Sequence, residues 1–218
     1  MKILIFGATG SAGGSVLRVC LASPAVEEVR AVVRRPLTLD DPKLRVFVHG
    51  DYLDYSRIAD AFAGVDACLF CLGISSTQVS GEAEYRRITH DFALAAARAL
   101  RVGSPGAGFY FISGQLTNVN GRLMWARVKG ETERDLIAEA GAVCFRPAAI
   151  DGVPPQSEAR LFKVLRPLIR LLRPFRNLYV KGEDLGRAML LAAADNLRSR
   201  ILENREIRDL ADRAEGRV

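Results

Sequence analysis

Four glycines stand close together near the start of the chain. Gly7, Gly10, Gly13 and Gly14 belong to the run GATGSAGG, which follows a short apolar stretch and precedes a helical pattern. Glycine lets the backbone turn tightly and lets a ligand approach the peptide N–H groups. The N-terminus of the following helix adds a partial positive charge that favours phosphate. The spacing GxxGxxG between a strand and a helix therefore predicts a site for the diphosphate of a dinucleotide. The residues expected to line this site are Gly7, Thr9, Gly10, Ser11, Ala12 and Gly13.

Two arginines follow the second apolar run, at the position where an adenosine ribose is expected. An Asp or Glu there would accept hydrogen bonds from the 2′-hydroxyl of NAD(H). Here Val33 is followed by Arg34 and Arg35, and no acidic residue is present. Guanidinium groups pair with a 2′-phosphate and stack on adenine. The pair therefore favours NADP(H) over NAD(H), the alternative being two solvated arginines at a strand end.

Short apolar runs alternate with amphipathic stretches along most of the chain. Strands are predicted at 2–6, 29–33, 45–48, 67–72, 109–112 and 142–145. Helices are predicted at 12–22, 55–62, 82–101 and 123–140. Several of the strands are apolar without alternation, which is typical of parallel sheets buried on both faces. The pattern predicts an α/β protein with a doubly wound, mostly parallel sheet, the Rossmann fold.

The length and composition indicate one globular domain. The chain has 218 residues, of which 49% are hydrophobic and 26% charged. We expect residues 1–218 to form a single dinucleotide-binding domain with a small C-terminal lobe on the substrate side. Within it, the pattern loosens at DGVPPQS, and residues 151–182 are expected to form a basic flap or cleft segment.

Several classes of protein are disfavoured by the same composition. No apolar run approaches the roughly 18 residues of a membrane span, and the apolar run after Lys2 is too short for a signal peptide. A cytoplasmic protein is therefore expected. Most of the net charge of +6 comes from residues 158–181, and no nucleic-acid-binding motif is present, so nucleic acid is not an expected partner.

The four cysteines are not arranged as a metal or redox site. Cys68 and Cys71 form a CxxC within a predicted strand, where residues three apart point to opposite faces. Reduced, buried thiols are expected instead. His49 and His90 are expected to be structural, and neither a metal-ligand spacing nor a Ser-His-Asp set is apparent.

The sequence resembles the short-chain dehydrogenase/reductase superfamily, in its atypical and extended branches. The small NAD(P)-binding proteins that are similar to epimerases/dehydratases or to NmrA-like regulators share most of its pattern. The motifs that carry the resemblance are GATGSAGG, Arg34-Arg35, Gly50-Asp51-Tyr52-Leu53-Asp54, Cys71-Leu72-Gly73, Ser113, Lys129-Gly130-Glu131 and Arg146-Pro147-Ala148.

The resemblance implies roles for individual residues. Asp51 and Tyr52 would lie against the adenine, Lys129 would hydrogen-bond the nicotinamide ribose, and Ser113, or Gly114 if the register shifts by one, would lie beside a substrate carbonyl. Further cofactor contacts are implied for Cys71, Leu72, Gly73 and Pro147. An ammonium at Lys129 would also lower the pKa of a nearby phenol.

The chain departs from the family at the proton donor. The family has a Tyr four residues before the Lys, and this chain has Trp125. Indole is no practical acid. Three alternatives stay open: Trp125 packs in a protein that senses NADP(H) and binds a partner without turnover; another acid such as Tyr85, Tyr110 or His90 serves; or water supplies the proton. The expected function is an NADP(H)-dependent oxidoreductase on a carbonyl-type small molecule, with the sensor as alternative.

A basic amphipathic pattern spans residues 160–176. Leucines recur at helical spacing while Lys163, Arg166, Arg170 and Arg173 fall mostly off that stripe, and Pro167 interrupts it. Binding to a membrane surface, an acidic partner or an anionic substrate is consistent with this pattern, as is an ordinary solvated helix face. The sequence does not indicate an oligomeric state.

Overall fold

A seven-stranded parallel sheet forms the centre of the protein. The structure is a computed structural model and describes residues 1–153, 170–215 and 217. Its strands are β1 (Lys2–Phe6), β2 (Glu28–Val33), β3 (Leu44–Val48), β4 (Ala67–Phe70), β5 (Gly108–Ile112), β6 (Val143–Arg146), β7 (Ala149–Asp151), β8 (Tyr179–Lys181) and β9 (Arg200–Glu203). The order in the large sheet is β3-β2-β1-β4-β5-β6-β9, and β7 pairs with β8 in a small second sheet. The order reverses between β1 and β4, where the carboxyl ends of the strands leave a crevice for a ligand.

Helices cover both faces of this sheet. They are α1 (Ser11–Ala22), α2 (Glu82–Arg86), α3 (Phe92–Gly103), α4 (Met124–Ala140), α5 (Gly182–Ala194) and α6 (Asn204–Ala214). Helices α1, α5 and α6 pack on one face, and α3 and α4 on the other. The predicted doubly wound α/β fold is confirmed.

Each face of the sheet has its own hydrophobic core. Ile3 and Ile5 of β1 point to the core beneath α1 and α5, whereas Leu4 and Phe6 point to the core beneath α3. Successive residues of a strand alternate between the two faces of the sheet. All four side chains are fully buried because helices cover both faces. Burial on both faces explains why the strands are apolar without alternation.

The same alternation separates Cys68 from Cys71, as the sequence predicted. Cys68 packs in the core beneath α3, whereas Cys71 packs against the core beneath α1. All four cysteines are free thiols. Burial raises the pKa of both Cys68 and Cys71, so neither is a ready thiolate.

Three predicted elements differ from the observed ones. The helix predicted at 82–101 is interrupted by a π-helical turn at Arg87–Asp91. The segment Ser56–Phe62 is 3₁₀-helical, with Ile58 outside helical geometry. Arg30 donates hydrogen bonds to the carbonyls of residues 60, 61 and 63, so these groups need no α-helical partner. The strand predicted at 67–72 ends at Phe70, which leaves the next two residues in the crevice loop.

The C-terminal part of the chain joins the main body. Strand β9 pairs with β6, and α5 packs against α1, where Gly182 lies against Ser15. The predicted basic segment lies largely outside the described residues, including Lys163 and Arg166. Its described arginines make intramolecular contacts: Arg170 with Asp151, Arg173 with Tyr179, and Arg176 with Asp209 and Asp212. Within the described ranges, no helix has both the length and the apolar character to cross a bilayer.

Candidate dinucleotide and catalytic site

The glycine run forms a tight loop between β1 and α1. Gly7 has a φ of +75°, a left-handed conformation that favours glycine. The Gly10 N–H donates to the Gly7 carbonyl at 2.9 Å, and the Gly14 N–H donates to the Gly10 carbonyl at 2.8 Å. The loop therefore leads directly into the first turn of α1 and directs the free N–H groups of that turn toward the crevice.

Close backbone contacts explain why this loop has no side chains at two positions. A Cβ on Gly13 would lie 2.1 Å from the carbonyl oxygen of Gly7. A Cβ on Gly7 would lie 2.6 Å from the backbone of Cys71, which follows β4. Both contacts are too short for real carbon atoms, so the loop can approach β4 and a bound phosphate only with glycine here.

The residues around α1 fit a diphosphate. The Ser11 hydroxyl, in the first turn of α1, is buried and has no hydrogen-bond partner among the described residues. No acidic side chain lies in that first turn. A phosphate oxygen would satisfy both the hydroxyl and the free helix N–H groups. These residues therefore fit a dinucleotide diphosphate, which is the group that the sequence predicts at this loop.

The predicted adenosine residues surround one small cleft. This cleft, of about 100 Å³, opens at the end of β2. Its lining residues are Gly7, Thr9, Val32, Val33, Arg34, Arg35, Tyr52 and Leu72. Arg34 and Arg35 are exposed and form no ion pair within the described part of the chain. Two guanidinium groups are therefore free to meet an anion at the cleft.

The loop after β3 is held in place by His49. The Nε2 atom of His49 lies 2.6 Å from the carbonyl oxygen of Asp51 and 2.8 Å from that of Asp54. Because both oxygens are acceptors, Nε2 carries the proton and donates to them. Tyr52 is stacked on Phe92 with 5.4 Å between ring centroids. His49 thus positions the loop that places Tyr52 in the cleft wall, while Asp51 itself is exposed.

Lys129 and Ser113 meet at the carboxyl end of β5. The Nζ atom of Lys129 donates to the backbone carbonyl of Ser113 at 2.6 Å. A Cβ on Gly114 would lie 3.7 Å from Nζ, so the glycine leaves one side of the amine open. The predicted pair is therefore brought together, although through the backbone of Ser113 rather than its hydroxyl.

The Ser113 hydroxyl has a partner that sequence reasoning missed. Its Oγ lies 3.1 Å from the Oγ1 of Thr117, and that Oγ1 donates to the Gly114 carbonyl at 2.7 Å. Because Thr117 has a single hydroxyl proton, Ser113 is the donor between the two hydroxyls. Its proton is thus directed away from any substrate carbonyl. The only sequence signal for this contact was a second hydroxyl-bearing residue, Thr117, four residues after Ser113.

Trp125 lies in the first turn of α4, one turn before Lys129, and is half-buried. It therefore occupies the helix position at which the family has its Tyr.

Two of the three alternative acids, Tyr110 and His90, are engaged elsewhere. Tyr110 donates its hydroxyl to the Ala192 carbonyl at 3.2 Å, on the α5 side of the sheet. His90 contacts the carboxylates of Asp91 at 2.8 Å and of Asp135 at 3.0 Å. Burial raises the pKa of the third, Tyr85.

An ion pair anchors α4 to β6 behind this site. Arg146 contacts both carboxylate oxygens of Glu133, at 2.9 and 2.6 Å, and reaches Glu203 at 2.9 Å. Glu133 is buried, and Arg146 supplies the ion-pair partner that a buried carboxylate requires. The next residue, Pro147, accepts the Gln115 N–H at 2.9 Å. Arg146 therefore has a structural role. Pro147 lies at the same sheet edge as Ser113.

Lys129 makes the stability of the fold depend on pH. Burial lowers its pKa from 10.5 to about 8, and the nearby Glu133 carboxylate opposes this shift. Below pH 8 the amine is charged in both states and its burial cost is full. As pH rises from about 8 to 10.5, the folded state loses the proton first, so stability should rise from this group.

The matched experiment compares wild type with Lys129→Met by denaturant unfolding from pH 7 to 10.5. The stability advantage of Lys129→Met should shrink by about 1–3 kcal/mol over this interval. Taking the difference between the two proteins removes the titration of the buried tyrosines and cysteines. If the difference in unfolding free energy between the two proteins does not change with pH, the pKa of Lys129 is not lowered in the folded state.

Comparisons with known proteins agree with this geometry. A family model described as NAD(P)H-binding matches residues 7–122, from the glycine loop to just before α4. "Protein fmp52-2, mitochondrial" of Aspergillus oryzae is 26% identical over 197 residues, covering 87% of this chain and 85% of that protein.

Solved structures show the same fold. An oxidoreductase of the short chain dehydrogenase/reductase family from Burkholderia thailandensis has a TM-score of 0.70 at 18% identity, with 92% of this chain and 89% of that chain covered. The dTDP-glucose 4,6-dehydratase DesIV from Streptomyces venezuelae, with NAD and TYD bound, has a TM-score of 0.70 at 19% identity, covering 99% and 81%. The fold that the resemblance implied and the NAD(P)H-binding family are confirmed.

The expected cytoplasmic location is wrong. The fungal relatives, including those from Eremothecium gossypii, Candida albicans and Saccharomyces cerevisiae, are named as mitochondrial proteins. The expectation was drawn from the lengths of the apolar runs in the sequence, and these lengths do not distinguish the cytoplasm from an organelle.

Proposed function

We propose that this chain, which belongs to the NAD(P)H-binding family, is an NADP(H)-dependent oxidoreductase of the atypical short-chain type. Its substrate would be a small carbonyl compound. The observation that carries the proposal is that Lys129 lies at the same sheet edge as the phosphate loop, with its amine held at the end of β5. A dinucleotide bound across the crevice would have its adenosine at Arg34 and its nicotinamide ribose at Lys129.

Each part of the chain has a separate task in this proposal. The glycine loop and the first turn of α1 bind the diphosphate, and Arg34 and Arg35 bind the ribose 2′-phosphate. Lys129 holds the nicotinamide ribose and directs positive charge toward an oxygen that becomes negative during reduction. The bound cofactor supplies the hydride.

The source of the proton would differ from that in family members that have a Tyr at the position of Trp125. Trp125 cannot release a proton from its indole at neutral pH. Among the described residues near the end of β5, the half-buried Lys129, whose pKa is lowered to about 8, remains as a donor beside solvent water. Among carbonyl compounds, one with a conjugated, activated double bond suits this site best, because the enolate formed by hydride addition can take its proton from water.

A second candidate function is a non-catalytic NADP(H) sensor. The observation that favours it is the hydrogen bond from Ser113 to Thr117, which takes the hydroxyl that would orient a carbonyl. With Trp125 in place of Tyr, neither polar group used on a carbonyl in the family would be available. Steady NADPH consumption with any member of a carbonyl and enone panel would reject the sensor, whereas tight binding without consumption would support it.

The cofactor preference is testable without a substrate. In the double variant Arg34→Gln/Arg35→Gln we expect the NADPH affinity to fall about 10–100-fold, because two charge-assisted hydrogen bonds to the 2′-phosphate are lost. The NADH affinity should stay within about twofold, since NADH has no 2′-phosphate. Calorimetric titration measures both constants. Equal affinities of wild type for NADPH and NADH would remove the role assigned to the arginine pair.

A further inference from the structure

The turn after β5 holds a leucine in a backbone conformation that favours glycine. The Thr117 N–H donates to the Gly114 carbonyl at 3.3 Å, which closes a four-residue β-turn. Leu116 is the third residue of this turn and has a φ of +68°. A type II turn needs a positive φ at that position, and glycine or asparagine is usual there. The Cβ of Leu116 therefore makes this turn less favourable than glycine would.

Burial does not explain why a leucine stands in this turn. Its side chain is 74% exposed. It belongs to neither of the two hydrophobic cores formed by the described residues. A residue that strains the backbone without packing in a core is typical of a functional position. What the leucine supplies is apolar surface in contact with water.

Hydrogen bonds on both sides hold the turn in this shape. The Gln115 N–H donates to the Pro147 carbonyl at 2.9 Å, and the Gln115 side-chain amide donates to the Asn177 carbonyl at 2.9 Å. After the turn, the Asn118 N–H donates to the carbonyl of Ala126, in the first turn of α4, at 3.1 Å. The leucine is therefore fixed between the segments that follow β6 and precede β8 and the start of α4.

The turn begins beside the amine of Lys129. The Nζ atom donates to the carbonyl of Ser113 at 2.6 Å, and a Cβ on Gly114, the first residue of the turn, would lie 3.7 Å from Nζ. The first and fourth Cα atoms of a β-turn lie within about 7 Å of each other. Leu116, between them, therefore lies close to the place where the proposed function has the reacting carbonyl.

Two more apolar side chains of the same segment are exposed. Val119 is 37% exposed, and Leu123, two residues before Trp125, is 57% exposed. Gly130 of α4 lies directly against the backbone of Val119, so this part of the segment is fixed as well. The segment between Ser113 and Trp125 thus presents three exposed apolar side chains next to the site.

We infer that the substrate of this site has an apolar chain attached to its carbonyl group, and that Leu116 contacts this chain and selects for it. The inference rests on the proposed function and names the class of its substrate. Removing one methylene group from water favours binding by about two- to fourfold. The leucine thus contributes substrate specificity, although glycine would suit the backbone better.

The test measures how the binding of unreactive ketones depends on their length. The probes are butan-2-one, hexan-2-one, octan-2-one and decan-2-one, titrated with NADP⁺ present. The oxidised cofactor donates no hydride, so the ketone is not consumed. Trp125 is the single tryptophan of the chain, so its fluorescence reports binding near the start of α4, and calorimetry detects binding that leaves it unchanged. We expect the affinity of wild type to rise about two- to fourfold with each methylene.

Leu116→Asn removes the apolar side chain and keeps the turn, because asparagine tolerates a positive φ. We expect its affinity for decan-2-one to fall about five- to tenfold and its affinity for butan-2-one to stay within about twofold of wild type. Its melting temperature should not fall. Val102→Asn is the matched control, because Val102 is 85% exposed at the end of α3, at the opposite edge of the sheet. It should leave the whole series unchanged.

Three results would overturn the inference. Equal affinity of wild type for all four ketones, or no binding of any, would show that no apolar chain is selected. An unchanged dependence on chain length in Leu116→Asn would remove the role of Leu116. A changed sedimentation mass of Leu116→Asn with unchanged ketone binding would show that the leucine contacts a second copy of the chain.

The outcome for NADP⁺ separates this inference from the proposed function. If wild type binds no NADP⁺, the two fail together. If wild type binds NADP⁺ but its ketone affinity does not rise with chain length, the apolar-substrate inference alone is rejected. Leu116→Gly, which also fits the turn, gives the same comparison if the asparagine variant is unstable.

Discussion

Gly13→Ala is expected to lower the affinity for NADPH at least about 100-fold. The new methyl group would lie 2.1 Å from the carbonyl oxygen of Gly7, so the loop must move outward. Moving it displaces the first turn of α1, whose N–H groups are expected to bind the diphosphate. Both NADPH and NADH should be affected, because the diphosphate is common to them. The overpacked loop should also cost about 1–3 kcal/mol of stability.

The control for this substitution is Gly106→Ala. Gly106 lies between α3 and β5, and a Cβ there would meet no atom within 4 Å. We expect this variant to bind both cofactors as wild type does. Titration of the folded variants, checked by circular dichroism, separates lost binding from unfolding. Wild-type affinity in a folded Gly13→Ala protein would contradict the placement of the diphosphate.

Trp125→Tyr is expected to raise kcat/KM for a reducible carbonyl substrate by about 10²–10⁴-fold. The phenol would stand one turn before Lys129 on the same helix face and could protonate the oxygen that receives negative charge. The Lys129 ammonium would lower the phenol pKa. Because the acid works only when protonated, the gained activity should fall as pH rises through that pKa.

Trp125→Phe is the matched variant for this gain. It keeps an aromatic ring at the start of α4 without an acidic proton, so its activity should resemble that of wild type. NADPH consumption against one panel of aldehydes and ketones measures all three proteins. If Trp125→Tyr is no more active than Trp125→Phe while NADPH binding is intact, the hydroxyl of Ser113 and the amine of Lys129 do not form a carbonyl-reducing site, and the sensor is favoured.

The crevice side of the fold was predictable because its signals are local. The loop from Gly7 to Gly14 is flanked by a strand and a helix whose periodicities change abruptly, and each signal supports the other. Arg34 and Arg35 were recognisable because their position relative to this loop follows from the βαβ geometry alone. The observed cleft contains both arginines.

Other features depended on distant contacts and could not be predicted in this way. The π-helical turn at Arg87–Asp91 adds a residue to a helix without altering its overall apolar pattern. Strand β9, Arg200–Glu203, lies at the sheet edge, and its two apolar residues between two charged ones are too short a run to stand out. The contact between Ser113 and Thr117 requires the turn after β5 to fold back.

The most direct test is a calorimetric titration of the purified wild-type protein with NADPH and, in parallel, with NADH. The glycine loop, the unpartnered Ser11 hydroxyl and the arginine pair together predict saturable binding of one NADPH per chain, with clearly weaker binding of NADH. Absence of binding heat at several temperatures with both dinucleotides would contradict a nicotinamide dinucleotide site at this crevice.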